Sequence, residues 1–207
     1  MDSAVSTSSE FSSFSSPNAS VATATKGKRA LFLDRDGTLI VHIPYLHTAD
    51  GVELLPGVRD ALALARSGGF ALYLFTNQSG VGRGMFTLAD VHAVNRRMIE
   101  LLGLGDDIFA GICIAPEAPH APALYRKPSP RYILETCNAE RLDPRACWMI
   151  GDSPSDWEAG LAAGINSSAV RCDETESGGH RSTRERLRVA GYVGLPSAVD
   201  AILRPFA

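Results

Sequence analysis

The fold class that this sequence predicts is α/β: a Rossmann-like domain with a central parallel sheet flanked by helices and no large cap domain. Three observations predict it. Five short apolar runs are spread along the chain, segments with helical spacing lie between them, and clusters of Asp, Thr, Asn and Lys follow the runs. Alternating strand and helix implies parallel strands, because a chain that returns to pair in the same direction needs a crossover about as long as a helix.

The elements follow in order. Residues 1 to 28 are dominated by Ser, Thr and Ala with Phe11 and Phe14 scattered among them, and cannot bury enough surface to offset the entropy of ordering. They are expected to form a disordered tail, with the folded domain over residues 29 to 207. Apolar runs at Ala30 to Leu33, Ala71 to Phe75, Gly111 to Ile114, Cys147 to Ile150 and Ser168 to Val170 have the length of strands buried on both faces. Helical spacing marks Gly57 to Ala65, Leu88 to Leu102, Pro130 to Cys137 and Asp156 to Ala163. Thr87 with Asp90, and Ser155 with Glu158, have capping-box spacing, and Ser129-Pro130 places a hydroxyl before a proline at the first helical position.

Composition narrows the function. The 207 residues, 45% of them apolar and 21% charged, suit one domain with a sizeable core. A formal net charge of -3 gives no general reason to bind nucleic acid or an acidic membrane, and no apolar run is long enough to span a bilayer. The tail lacks the basic start and apolar stretch of a secretory signal, and Cys113, Cys137, Cys147 and Cys172 show no CxxC pairing. A cytoplasmic monomer with reduced thiols is expected.

In parallel sheets ligands gather at the carboxyl ends of the strands. The first run ends in Asp34-Arg35-Asp36-Gly37-Thr38, the second in Thr76-Asn77-Gln78-Ser79-Gly80 and the fourth in Gly151-Asp152-Ser153-Pro154-Ser155-Asp156, while Arg126-Lys127 precedes the third helix. Any one aspartate alone reads as a turn cap. Together these clusters suit a phosphate and a hard cation such as magnesium. Residues i and i+2 of a strand point the same way, and Gly37 lets the chain turn at once, so Asp34 and Asp36 can face one substrate. One can attack phosphorus while the other handles protons.

In this order, "DRDGT", "TNQSG", "RKP" and "GDSPSD" resemble the four motifs of the haloacid dehalogenase superfamily of aspartyl-phosphate phosphatases, over roughly residues 29 to 171. More narrowly, "FLDRDGT", "YLH", "LLPGV", "FTNQSGVGRGMFT" and "RKPSP" resemble the D-glycero-D-manno-heptose 1,7-bisphosphate phosphatases and the related histidinol-phosphate phosphatases. The resemblance implies Asp34 as nucleophile, Asp36 as general acid and base, and Thr76 and Lys127 as holders of the phosphoryl oxygens. It implies Asn77, Gln78, Ser79, Arg126 and Tyr45 as substrate-binding residues. Magnesium would be held by Asp34, Asp36 through its carbonyl, and Asp152, with Asp156 supporting the metal or Lys127. The substrate would be a small phosphorylated molecule, a sugar bisphosphate or an amino-alcohol phosphate.

One departure stands out. Zinc-bearing members of this subgroup carry CxH and then CxC before "RKP", whereas here Ala115, Ala123 and Tyr125 occupy those positions and Cys113 alone survives. No structural zinc is expected, since a closed site takes four ligands. The segment His42 to His47 reads as a flap over the site or an ordinary loop, and the basic run His180 to Arg188 as a solvated face. Trp148 and Trp157 read as packing residues.

Hydrolysis of the heptose 7-phosphate is the leading expectation, with histidinol phosphate as the alternative. The strings "LYRKP" and "TNQSGVGRG" also resemble polynucleotide 3'-phosphatases, which the acidic balance and "GDSPSD" oppose. A non-enzymatic phospho-acceptor module is opposed by Asp36, for which a slow signalling phosphate has no use.

Overall fold

The computed structural model describes residues 27–173 and 176–204. The expected tail therefore lies outside the described residues except for Gly27 and Lys28, and Lys28 opens the first strand. Six strands, β1 (Lys28–Leu33), β2 (Phe70–Asn77), β3 (Gly111–Ala115), β4 (Leu142–Gly151), β5 (Asn166–Ala169) and β6 (Ala190–Gly191), form one sheet in the order β3-β2-β1-β4-β5-β6. Every pairing is parallel. β1 sits between β2 and β4, with Leu33 in register with both Leu74 and Ile150. Connections run outward in opposite directions from this point, so a crevice opens at the carboxyl end of β1.

Alternation along β1 divides the core. Leu31 and Leu33 join Leu72, Leu74 and Ile150 under α1 (Val58–Ser67), α3 (Leu88–Leu102) and α7 (Leu195–Leu203). Ala30 and Phe32 point the other way, joining Phe75 and Met149 under α4 (Arg131–Glu140) and α5 (Pro154–Ala162). Leu31, Phe32 and Leu33 are each at most 1% exposed. Truncating Leu33 to Ala would cost about 2–5 kcal/mol, because neighbours on both faces cannot collapse fully into the gap.

Two expected helix starts shift. α5 is capped by Ser153, with Pro154 in its first turn and Asp156 Oδ2 accepting the Ser153 N–H at 3.0 Å; the Ser155 and Glu158 pair is not the cap. A proline fits the first helical position, so the cap precedes it by one residue. α4 starts at Arg131, one residue beyond the expected proline, and Ser129 Oγ accepts from the Arg131 N–H at 3.4 Å. The Thr87 and Asp90 capping box forms as expected on α3.

β6, α7 and the four-residue α2 (Ser79–Gly82) lie beyond the expected elements. The basic run folds into α6 (Gly178–Leu187), where Glu176 pairs with Arg184 at 2.9 Å and Arg181 at 3.3 Å, so part of its charge is answered locally. Trp157 is buried and donates Nε1–H to Gly151 O at 2.9 Å, while Trp148 packs edge-on against Phe70. No cap domain occurs among the described residues, and no helix there is long and apolar enough to cross a membrane.

Candidate active site

The end of β1 is a tight turn. The Asp34 N–H continues the ladder to Ile150 O at 3.0 Å, and the Arg35 carbonyl then accepts the N–H groups of Thr38, Leu39 and Ile40 at 3.3, 2.9 and 3.1 Å. Gly37 has φ +83°, and a Cβ there would stand 2.1 Å from Asp152 Oδ2. Only glycine lets this turn approach the end of β4 so closely.

Lys127 forms the floor. It is 3% exposed; its Nζ donates to Asp34 Oδ1 and to Phe75 O, each at 2.7 Å, and forms an ion pair with Asp156 Oδ1 at 2.6 Å. Burial pushes its pKa down, but Asp156 and Asp34 outweigh that and hold it above the ordinary lysine value. Asn77 fixes its backbone: Asn77 Oδ1 accepts the Lys127 N–H at 2.9 Å and Asn77 Nδ2 donates to Lys127 O at 3.2 Å.

Asp34 is pushed up to about 8, first by burial and then by the charges of Asp156, Asp152 and Asp36, with Lys127 opposing. Asp152 is raised too, mainly by burial and Asp156, although Arg171 Nη1 pairs with its Oδ2 at 3.1 Å. Among the described residues, Asp34, Asp152 and Asp156 form a group whose ligand oxygens lie within 4.8 Å of one another. Clustered buried carboxylates are costly unless cations answer them, and a hard divalent ion such as magnesium suits three carboxylate oxygens. Asp156 already uses both oxygens, on Lys127 and on the Ser153 N–H.

Asp36 is held differently. Arg35, 1% exposed, donates Nε to Asp36 Oδ2 at 3.1 Å and Nη2 to Oδ1 at 3.2 Å, while Gln78 Nε2 reaches Oδ2 at 3.0 Å. Gln78 Nε2 also donates to Thr76 Oγ1 at 2.8 Å. These groups surround a cleft of about 360 Å³ lined by Asp34, Asp36, Asn77, Gln78, Ser79, Lys127, Asp152 and Asp156. His42 to Leu46 line it as well, so this loop contributes to the site, with Tyr45 half-exposed and its ring under the Arg83 guanidinium at 5.2 Å.

Two expected residues stand apart. Thr76 is fully buried beneath Gln78 and does not line the cleft, and Arg126, also outside the lining, directs Nη1 toward Glu117 O at 3.5 Å. Arg35, Ser153 and Phe86, for which the sequence predicted no role, also line the cleft, and Asn95 and Glu117 act from outside it, Asn95 by accepting from Arg35 Nη1 at 2.8 Å. Glu117 Oε1 accepts the N–H groups of Leu124, Tyr125 and Arg126 at 3.1, 2.7 and 3.3 Å. One carboxylate thus gathers the stretch that leads into Lys127. Cys113 lies on β3, its thiol pushed up to about 12 by burial.

The family model for haloacid dehalogenase-like hydrolases matches residues 45–164, more than half of the chain. The chain belongs to this family. It is 37% identical over 154 residues to a D-glycero-beta-D-manno-heptose-1,7-bisphosphate 7-phosphatase from Yersinia pestis, covering 70% of this chain and 81% of that one. A protein of the same name from Helicobacter pylori is 36% identical over 144 residues, 69% of this chain and 83% of the other. Among solved structures, a D,D-heptose 1,7-bisphosphate phosphatase from B. bronchiseptica complexed with magnesium and phosphate is similar at TM-score 0.74 and 25% identity, covering 85% of this chain and 99% of that one.

Proposed function

We propose that this protein is a magnesium-dependent phosphomonoesterase that removes the 7-phosphate of D-glycero-D-manno-heptose 1,7-bisphosphate through an aspartyl-phosphate. The observation that carries the chemistry is the buried Lys127 ammonium bridging Asp34 and Asp156 at the floor of a cleft that Asp36 and Asp152 also line. The substrate rests on the likeness to the heptose phosphatases.

Lys127 holds one Asp34 oxygen, which leaves the other to attack phosphorus. As that bond forms, the ester P–O bond breaks and Asp36 gives its proton to the departing alkoxide. Asp36 then takes a proton from water, whose oxygen attacks the aspartyl-phosphate and releases inorganic phosphate and the Asp34 carboxylate. Lys127 stabilises charge on the transferring group throughout. Magnesium, held by Asp34, the Asp36 carbonyl and Asp152, would relieve repulsion between the carboxylates and the dianionic phosphate. We assign Asp156 to Lys127, because both of its oxygens are engaged. Thr76 supports Gln78, and Asn77 positions Lys127. With no cap among the described residues, selectivity falls to the loop at 42–46, including Tyr45, and to the loop that ends at Arg126. We place the reaction in the cytoplasm, on a small phosphorylated substrate, with the protein as a monomer.

Phosphate release with magnesium tests this, comparing heptose 1,7-bisphosphate, histidinol phosphate and a 3'-phosphorylated oligonucleotide, with Asp34→Asn as the blank. The expected result is the highest kcat/KM for the heptose ester and no turnover in the variant. Preference for either other ester would overturn the substrate, and turnover surviving Asp34→Asn would overturn the mechanism.

A further inference from the structure

The reaction asks Asp36 to present one oxygen to a departing alkoxide, and the structure holds its carboxylate from behind. Oδ2 receives Arg35 Nε at 3.1 Å and Gln78 Nε2 at 3.0 Å, and Arg35 Nη2 lies between the two oxygens, 3.0 Å from Oδ2 and 3.2 Å from Oδ1. Oδ2 thus has its donors and Oδ1 keeps a free lone pair. The guanidinium is fixed in turn. Arg35 Nη1 donates to Asn95 Oδ1 at 2.8 Å across 60 residues of sequence, and Asn95 is 3% exposed on α3.

Asn95 is out of place on chemical grounds. It interrupts the buried face of α3 otherwise made by Val91, Val94, Met98 and Leu102, and its Nδ2 is buried without a hydrogen-bond partner. An amide left half-satisfied in a core costs stability that an apolar residue would not. Arg35 is the contact that it makes.

We propose that Asn95 and Arg35 are positioning residues for proton delivery: Asn95 fixes the Arg35 fork, the fork fixes the plane of the Asp36 carboxylate, and Oδ1 is the oxygen that carries the proton to the leaving group. Neither residue touches the reacting atoms in this scheme. It rests on Asp36 as the general acid, so the test separates the two claims.

An alkyl phosphate must have its leaving oxygen protonated, whereas the phenolate of 4-nitrophenyl phosphate leaves without a proton. kcat/KM covers the steps through formation of the aspartyl-phosphate, so the ratio of the two esters reads proton delivery alone. Asn95→Ala and Arg35→Lys should lower kcat/KM for heptose 1,7-bisphosphate by about 10- to 100-fold, the scale of a misplaced group, and leave the aryl ester little changed. Asp36→Asn should show the same discrimination at about 100-fold or more. A role confined to anchoring α3 would slow both esters alike. If Asn95→Ala does so while Asp36→Asn still discriminates, the positioning claim is wrong and the general acid stands. If Asp36→Asn itself slows both esters equally, the general-acid reading fails and takes the inference with it. Should Arg35→Lys fail to fold, Asn95→Ala decides alone, because it leaves the Arg35 fork on Asp36 and removes only its brace.

Discussion

Glu117 offers a sharp perturbation, because one oxygen of one side chain gathers three backbone donors beside the site. Hydrogen bonds to a charged acceptor are worth about 1.5–3 kcal/mol each. Here three donors share Oε1, at 3.1, 2.7 and 3.3 Å, and the carboxylate is only part-buried. The sum is accordingly discounted to about 2–3 kcal/mol of local order, given how water screens such groups. Glu117→Ala should release the segment from Leu124 to Arg126, and Glu117→Gln, which keeps a neutral acceptor in place, should lose about half as much. At 1.4 kcal/mol per tenfold change, hydrogen exchange at those three amides should quicken by about 30- to 150-fold in Glu117→Ala and by about tenfold or less in Glu117→Gln. Burial raises the Glu117 pKa, but the backbone bonds outweigh it and hold the group below the ordinary glutamate value. A lowered folded-state pKa gives stability that is present above the unfolded value and lost as pH falls through the folded one. Exchange in wild type should therefore quicken only in acid below the ordinary glutamate range. Equal exchange in wild type and Glu117→Ala near neutral pH would refute the role assigned to this carboxylate.

Two further outcomes follow from the carboxylates. With Asp34 raised to about 8 in the metal-free protein, the folded state holds a proton that the unfolded state releases above the ordinary aspartate range. Stability should fall as pH rises from about 4 to 8. Magnesium should raise Tm more at pH 8 than at pH 5, and a metal-induced shift independent of pH would contradict this. Gly37→Ala meets both a left-handed backbone and the Asp152 carboxylate 2.1 Å from the new Cβ. It should cost about 1–2 kcal/mol from the backbone alone, plus the displacement of Asp152. Calorimetry and magnesium titration should show a lower Tm and weaker binding, and unchanged magnesium affinity would show that Asp152 is not a ligand.

The fold was largely legible because parallel strands buried on both faces leave continuous apolar runs: those at Ala30, Ala71, Gly111 and Cys147 fall within strands, and the one at Ser168 overruns β5 by Val170 alone. What escaped has a physical reason in each case. β6 is two residues long and exposed, so Ala190 and Gly191 carry no apolar signal. α2 is four residues in a glycine-rich stretch, and its conformation comes from tertiary bonds such as Gly82 N–H to Pro116 O at 2.9 Å. Ser153 and Ser155 are both candidate cap residues two positions apart, and Pro154, which fits the first helical turn, sets the start of α5 at the earlier one.

The site divides along a different line. The Asp and Lys residues gathered at the cleft were legible, because clusters of such groups at strand ends carry their chemistry in their own side chains. Residues that act on other residues were not, because their meaning lies in contacts across the chain. Lys127 reaches Asp34 across 93 residues and Arg35 reaches Asn95 across 60, and no local spacing encodes either distance. The same division explains Thr76 and Asn77, whose polar groups are taken up by Gln78 and the Lys127 backbone. Asn95 did leave a trace, as one amide on a helix face otherwise spaced as apolar at Val91, Val94, Met98 and Leu102. A polar residue at a core position must be paid for by a specific partner. Here that partner is Arg35, itself buried and placed in the chain between Asp34 and Asp36.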